Sequence, residues 1–243
     1  MKMTIFAGRC AREILRDPIN LIFGLGFPLV LLLLLSAMQQ NIPVEIFQID
    51  TLTPGMTVFG LSFLTLFSAT LVSRDRESAF VHRLYTTPLG GTDFILGYLL
   101  PVLPIAMAQV AVCYLAAIPL GLTVSRNILW AVFGSIPMAV FNISLGLLCG
   151  SLLGVKQVGG ICGALLTNLS AWLSGVWFDL ELVGGIFEKI AHCLPFYHGA
   201  QLQRAIFAGD LAATGSHLPV VLAYSALTTA AAVYCFLRQM NKQ

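Results

Sequence analysis

The sequence predicts an all-α integral membrane protein, and three observations carry that expectation. First, the 243-residue chain is 58% hydrophobic and 10% charged, with a mean hydropathy of +0.88. Soluble domains average about 45–50% apolar and about 25% charged residues. A compact soluble fold could not bury the excess, so lipid must solvate much of the surface. Second, six runs reach the roughly 20 mostly apolar residues that cross a hydrocarbon core of about 30 Å. Third, the charges are few and sorted by loop. The net charge of +2 is too small to point to nucleic acid.

From the N-terminus, residues 1–17 are too polar to span but are patterned. At 100° per residue Met3, Phe6, Cys10 and Ile14 form one stripe, and Arg9, Arg12 and Arg16 form another. That pattern predicts a helix lying in the interface with its arginines among anionic headgroups, although Ile5 and Leu15 interrupt it. Asp17-Pro18 ends it. The spans expected next are Ile19–Met38, Pro54–Ser73, Phe94–Gly121, Ile128–Leu153, Val158–Trp177 and Leu218–Leu237. Pro101, Pro104, Pro119 and Pro137 predict kinks in or beside the third and fourth. Between the fifth and sixth spans, "IFEKIAHCL" and "YHGAQLQRAIFAG" are each amphipathic but too short to cross. They predict short re-entrant or outer helices, with Gly209-Asp210 as a stop. No removable signal peptide is expected, since the start lacks a short apolar core followed by a small-residue cleavage site.

Orientation follows from lysine and arginine in short loops. With both termini cytoplasmic, the inside holds Lys2, Arg9, Arg12, Arg16, Arg74, Arg76, Arg83, Lys156, Arg238 and Lys242, and the outside Arg126, Lys189 and Arg204: ten against three. Acidic residues divide evenly, five inside and six outside, so the bias is cationic.

Candidate sites are sparse. Gly146, Gly150 and Gly154 recur every fourth residue and offer a flat helix face, for packing within the chain or against a second subunit. The main polar residues within spans are Gln109, Asn142, Thr167, Asn168 and Ser170, expected to make interhelical hydrogen bonds. Asn168, Ser170 and Trp172 lie mid-span and would also suit a partly polar ligand on a path through the membrane. No acid, lysine or arginine sits deep in a span, which argues against a proton- or sodium-coupled carrier. His192, Cys193 and His198 are zinc-type side chains, but their spacing fits no common motif and no metal site is expected. The six cysteines read as small buried hydrophobes. "GSLLGVKQ" at 150–157 lacks the spacing of a phosphate loop, and no metalloprotease or serine-nucleophile motif occurs, so no catalytic residues and no bound cofactor are expected.

The stretch "RDRESAFVHRLYTTPLGG" from Arg74 to Gly91 follows the second span directly. Arg74, Asp75, Arg76 and Glu77 can extend that span as a helix. Phe80, Val81, Leu84 and Tyr85 then share one apolar face beside Arg83, and Pro88 with Gly90-Gly91 ends the element. A short amphipathic helix of this kind is either a docking surface for a soluble partner or a turn resting on headgroups.

Arg-Asp-Arg-Glu after a second span, then Arg83-Leu84-x-x-Thr87-Pro88-Leu89, then Gly97 early in the third span, resembles the signature of ABC-2 type permeases. These are the membrane subunits of type 2 ABC exporters, including the daunorubicin-resistance kind. "LPFYHGAQLQRAIFAG" places Pro, Tyr, Arg and Gly as the family often does, so the resemblance spans most of the chain as one transmembrane domain over residues 1–243. The chain departs from the family in Ser78-Ala79-Phe80 for a usual Gly-Thr, in His82 for a frequent Glu, and in Tyr98 for a frequent Lys.

The resemblance implies two permeases, identical or homologous, and two copies of a separate ATP-binding subunit that holds ATP and magnesium. It implies a plasma membrane, the bacterial cytoplasmic membrane, and export. Residues Arg74–Thr87 would couple to the ATPase, on which the N-terminal helix would also rest, with Arg74, Asp75, Arg76, Glu77, Phe80, Val81, Arg83, Leu84 and Tyr85 as the contact residues. The second and fifth spans would line the path, with Phe59, Phe63, Phe67, Asn168 and Trp172 as substrate contacts. Aromatic walls with few amides suit a hydrophobic or amphipathic cargo such as a drug, a lipid-like compound or an antimicrobial natural product. The alternatives are export of a lipid-linked glycan, or a non-transporting scaffold or sensor that recruits a cytoplasmic ATPase.

Overall fold

A computed structural model describes residues 2–41, 45–78 and 91–240 of the chain, and every described element is helical. Helix α1 (Lys2–Leu15) precedes α2 (Pro18–Asn41). The second crossing is built from α3 (Ile49–Leu61) and α4 (Phe63–Glu77), and the third is α5 (Gly91–Ala117). The fourth comprises α6 (Asn127–Gly134) and α7 (Ile136–Leu152). A composite fifth rod joins α8 (Val155–Val158), a π-helical segment (Gly159–Leu166) and α9 (Thr167–Leu173). The short helices α10 (Leu180–Val183), α11 (Gly185–Cys193) and α12 (Pro195–Ala208) lead to α13 (Leu211–Met240).

Five helical stretches among the described residues are long and apolar enough to cross a membrane: Leu21–Gln39, Ile49–Glu77, Ile95–Leu120, Asn127–Leu152 and Leu211–Arg238. The expected fifth span differs in kind. Its middle turns are wide, and Thr167 repairs one freed carbonyl by donating its hydroxyl to Cys162 O, five residues back, at 3.0 Å.

The second span begins at Ile49, earlier than Pro54, and the sixth at Leu211, earlier than Leu218. The sixth starts there because Asp210 caps it: Ala212 N and Ala213 N donate to its Oδ1 at 2.9 and 3.0 Å. Gly209, at φ +78°, closes α12 in the left-handed conformation that glycine tolerates. The breaks within the second and fourth crossings fall at Ser62 and Ser135. Each serine hydroxyl donates to the carbonyl three residues back, Phe59 O and Val132 O, at 2.6 Å.

The second crossing is the hub. Within its most apolar window 83% of residues are buried inside the chain, against 22% for the first and last crossings, which therefore lie on the outside of the bundle. Its closest neighbour is α7. A Cβ added at Gly146 would lie 2.4 Å from Thr65 O, and one at Gly150 would lie 2.5 Å from Ala69 O. Glycine alone lets the two backbones approach this far. Thr65 also donates to the backbone carbonyl of Asn142 at 3.0 Å and to its side-chain Oδ1 at 3.2 Å.

The amphipathic helix α1 packs its apolar stripe on the bundle. The stripe of Phe6, Cys10 and Ile14 is buried against the bundle rather than turned to acyl chains. Phe6 meets the ring of Tyr98 edge-on at 4.9 Å and fills the space left at Gly97. Ile5 and Leu15, the two residues that interrupt the pattern, are the outward ones, 66% and 67% exposed. A large apolar wall formed by α5 outcompetes lipid for the better-formed stripe, since protein packing adds close dispersion contacts.

Candidate functional site at the arginine-rich end

The four charged residues that close α4 each bind a different part of the chain. Asp75 is 2% exposed in spite of its charge. Arg9 of α1 meets it with two hydrogen bonds, Nη1 to Oδ2 at 2.8 Å and Nη2 to Oδ1 at 2.6 Å. That bidentate fork is guanidinium geometry, which lysine could not reproduce. Tyr98 of α5 donates its hydroxyl to Oδ2 at 2.7 Å. Arg9 also pairs with Glu13, one turn along α1, at 2.9 Å. One buried carboxylate thereby joins α1, α4 and α5.

The neighbours of Asp75 close the circle. Arg74 Nη1 lies 3.3 Å from Asp17 Oδ2, at the junction of α1 and α2. Arg76 Nη1 donates to Gly150 O at 2.8 Å and to Leu153 O at 3.3 Å, taking up carbonyls that the end of α7 leaves open. Val155 N donates to Glu77 Oε1 at 2.9 Å, so a carboxylate sits at the positive start of α8. A Cβ added at Gly154 would meet the same Glu77 oxygen at 3.4 Å.

The local electrostatics follow. The hydrogen bond to Asp75 raises the Arg9 guanidinium above its ordinary value. Burial, with Asp75 second, raises the Glu13 carboxyl. Burial foremost pushes the Cys10 thiol up to about 12.

Phe80, Val81, Arg83, Leu84 and Tyr85, the rest of the expected coupling element, lie outside the described residues. Within the described residues the quartet Arg74–Glu77 clasps the end of α4 to its neighbours; Asp75 is buried, while Arg74 and Glu77 are exposed. Sequence reasoning missed the acceptor role of Asp75 for both Arg9 and Tyr98. The available signal was Tyr98, a phenol within two turns of the start of an apolar helix.

The expected path residues separate into two groups. Phe59 and Phe63 pack at 5.6 Å from each other and at 6.3 and 5.4 Å from Phe27 of α2, and Phe59 also meets Trp177 at 5.8 Å. Phe67 fills the notch at Gly24 of α2. These rings hold the second crossing to the first; Phe59 and Phe67 are buried. Asn168 and Trp172 do the opposite. They lie on the outward face of the fifth rod with Ile161 and Leu165, and Trp172 is 47% exposed. Asn168 turns its amide back to Ala164 O at 2.7 Å, which leaves its oxygen on that face. Ser170 is buried on the other side of the rod.

At the opposite end of the bundle, Arg204 of α12 donates from Nε to Thr51 O at 3.2 Å and from Nη2 to Gly175 O at 3.0 Å. Burial depresses its guanidinium below the ordinary value. Asp50 accepts from Thr123 N at 3.0 Å and Thr123 Oγ1 at 2.8 Å, which pins the loop after α5 to the start of α3. His198 Nδ1 and His217 Nδ1 lie 2.9 Å apart, and His198 Nε2 faces His192 O at 2.8 Å, so the outer helices are tied to the last crossing.

Crossing helices around a glycine-packed hub, with a charged clasp at the end of the second crossing, define an all-α polytopic membrane domain. The model of the family "ABC-2 type transporter" matches residues 2–208. The chain belongs to that family: it is the membrane permease domain of an ABC transporter. A search of curated proteins finds no match.

Proposed function

We propose that the protein is the permease subunit of an ATP-driven exporter that moves a hydrophobic or amphipathic small molecule outward across the plasma membrane. Both termini then lie in the cytoplasm with the arginine-rich end. Two ATP-binding subunits hold ATP and magnesium, and a second permease, identical or homologous, completes the unit. The observation that carries this reading is the clasp itself. Arg74, Asp75, Arg76 and Glu77 tie the end of the second crossing to α1, α5, α7 and α8, immediately before residues 79–90. A load applied to those residues by an ATPase would reach four other helices through short polar contacts. Asn168 beside Trp172, Ile161 and Leu165 supports an amphipathic cargo, because the face offers one amide among apolar walls.

The test is co-purification from gently solubilised membranes, comparing wild type with Phe80→Asp/Leu84→Asp. The expected result is an ATPase subunit recovered with wild type and lost with the variant, from folded protein in both cases. Absence of an ATPase from folded wild type would overturn the exporter reading.

A further inference from the structure

We propose that the cleft between α1, the start of α2 and the end of α4 is a binding site for the phosphate of an anionic phospholipid. The lipid belongs to the leaflet at the arginine-rich end. The cleft has a volume of about 750 Å³ and is lined by Arg9, Arg12, Arg16 and Arg74 against two carboxylates, Glu13 and Asp17.

The arginines are not equivalent. Arg9 is occupied by Asp75 and Glu13, and Arg74 leans on Asp17. Arg12 and Arg16 make no ion pair within the chain among the described residues; Arg12 bonds only through Nε, to Gly8 O at 3.1 Å. Four residues apart, Arg12 on α1 and Arg16 in the turn just past its end are both exposed. Two adjacent guanidinium groups without an acid, in a cleft that also holds a half-exposed third, offer the donor pattern that a phosphate takes.

Three further observations favour a lipid over a soluble anion. Ile5 and Leu15, both strongly exposed, alternate with these arginines, so apolar chains are needed around the charge. The cleft is continuous, through Glu13, Asp17 and Arg74, with a narrow crevice lined by Ile14, Leu21, Phe67 and Leu71, which gives the headgroup basin an apolar floor. Ile22 and Phe23 at the start of α2 are 69% and 58% exposed, continuing an apolar outer surface away from the basin. A phosphate seated there sits at headgroup depth with its chains along α2. The site holds α1, and with it the Arg9–Asp75 clasp, to the membrane.

The experiment is native mass spectrometry of the full chain, titrated in detergent with phosphatidylglycerol or phosphatidylcholine. Wild type should bind phosphatidylglycerol at least about tenfold more tightly, and Arg12→Gln/Arg16→Gln should lose that preference, in keeping with the attraction of each cation to an anionic surface. Arg126→Gln, an exposed cation at the opposite end, should bind as wild type. Slow labelling of Cys10 certifies that the double variant keeps α1 docked. Equal binding of the two lipids by wild type, or an unchanged preference in the double variant, would overturn the proposal. Displacement of the lipid by millimolar inorganic phosphate would also overturn it, as a soluble-anion site. So would retained lipid preference with loss of the ATP-binding subunit, which would assign the arginines to a protein contact.

Discussion

Replacing Asp75 by Asn removes one charge while keeping the shape of the side chain, and its cost can be worked from the contacts. Stranding one member of a buried ion pair costs about 3–5 kcal/mol. Here Arg9 keeps 34% of its side chain exposed and retains Glu13 at 2.9 Å, so it is only partly stranded. That brings the expected cost to about 2–3 kcal/mol. Tyr98 is 1% exposed, and truncation to Ala would also take away this acceptor, adding about 1 kcal/mol. The assay is an SDS titration in mixed micelles followed by far-ultraviolet circular dichroism, run on wild type, Asp75→Asn, Arg9→Gln and the double variant. The bidentate pair should appear as a coupling energy of about 1.5–3 kcal/mol. A coupling energy under about 0.5 kcal/mol would refute the reasoning, because it would mean that the two side chains act independently.

Four more outcomes are expected. Gly146→Ala and Gly150→Ala should each cost about 1–3 kcal/mol or prevent accumulation, since the new methyl group meets backbone oxygen of α4 at 2.4 and 2.5 Å; Gly154→Ala should be near neutral in the same titration. Cys10, with its thiol pushed up to about 12, should resist a soluble maleimide at pH 7–8 while exposed Cys193 labels readily. The thiolate grows as pH rises towards that value, so labelling should quicken only in strong alkali, or at neutral pH in Asp75→Asn if the clasp opens; this is read by peptide mass spectrometry. Arg204→Lys should cost about 1–3 kcal/mol, because an ammonium cannot span Thr51 O and Gly175 O as the fork does. Glu77→Ala should leave ATP hydrolysis by the reconstituted complex intact but lower transport per ATP, as the tie from α4 to Val155 N is cut.

Much of this architecture is legible in the sequence, because spans are written as lengths of apolar residues and the loop charges give their order. Which way a face turns is not written there. Met3, Phe6, Cys10 and Ile14 make the same stripe whether the apolar phase is lipid or α5, and only the structure shows that Phe6 fills the notch at Gly97. Phe59, Phe63 and Phe67 follow a four-residue period that serves a pore wall or a helix seam equally well; Phe27 and Gly24 on α2 make them a seam. The breaks at Ser62 and Ser135 depend on single hydroxyls turning back to a carbonyl, a choice available to serine in any helix. Asp75 reads as a loop charge until Arg9 and Tyr98, 66 and 23 residues away in sequence, converge on it.

The clasp also accounts for why charge is concentrated beside an apolar span. Held only by apolar contacts, the end of α4 could slide against α7, because a glycine seam has no side-chain register of its own. Arg76 on the last carbonyls of α7 fixes that register at one end, while Thr65 on Asn142 fixes it nearer mid-membrane. The fifth rod is held differently. Its packing neighbours are chiefly the second crossing and α12, and its polar tie to the clasp is Glu77. Its wide π turns lie between that tie and the outward face of Asn168 and Trp172. The quartet thus ties the end of the second crossing to four helices, and Glu77 is the contact through which it reaches the fifth rod.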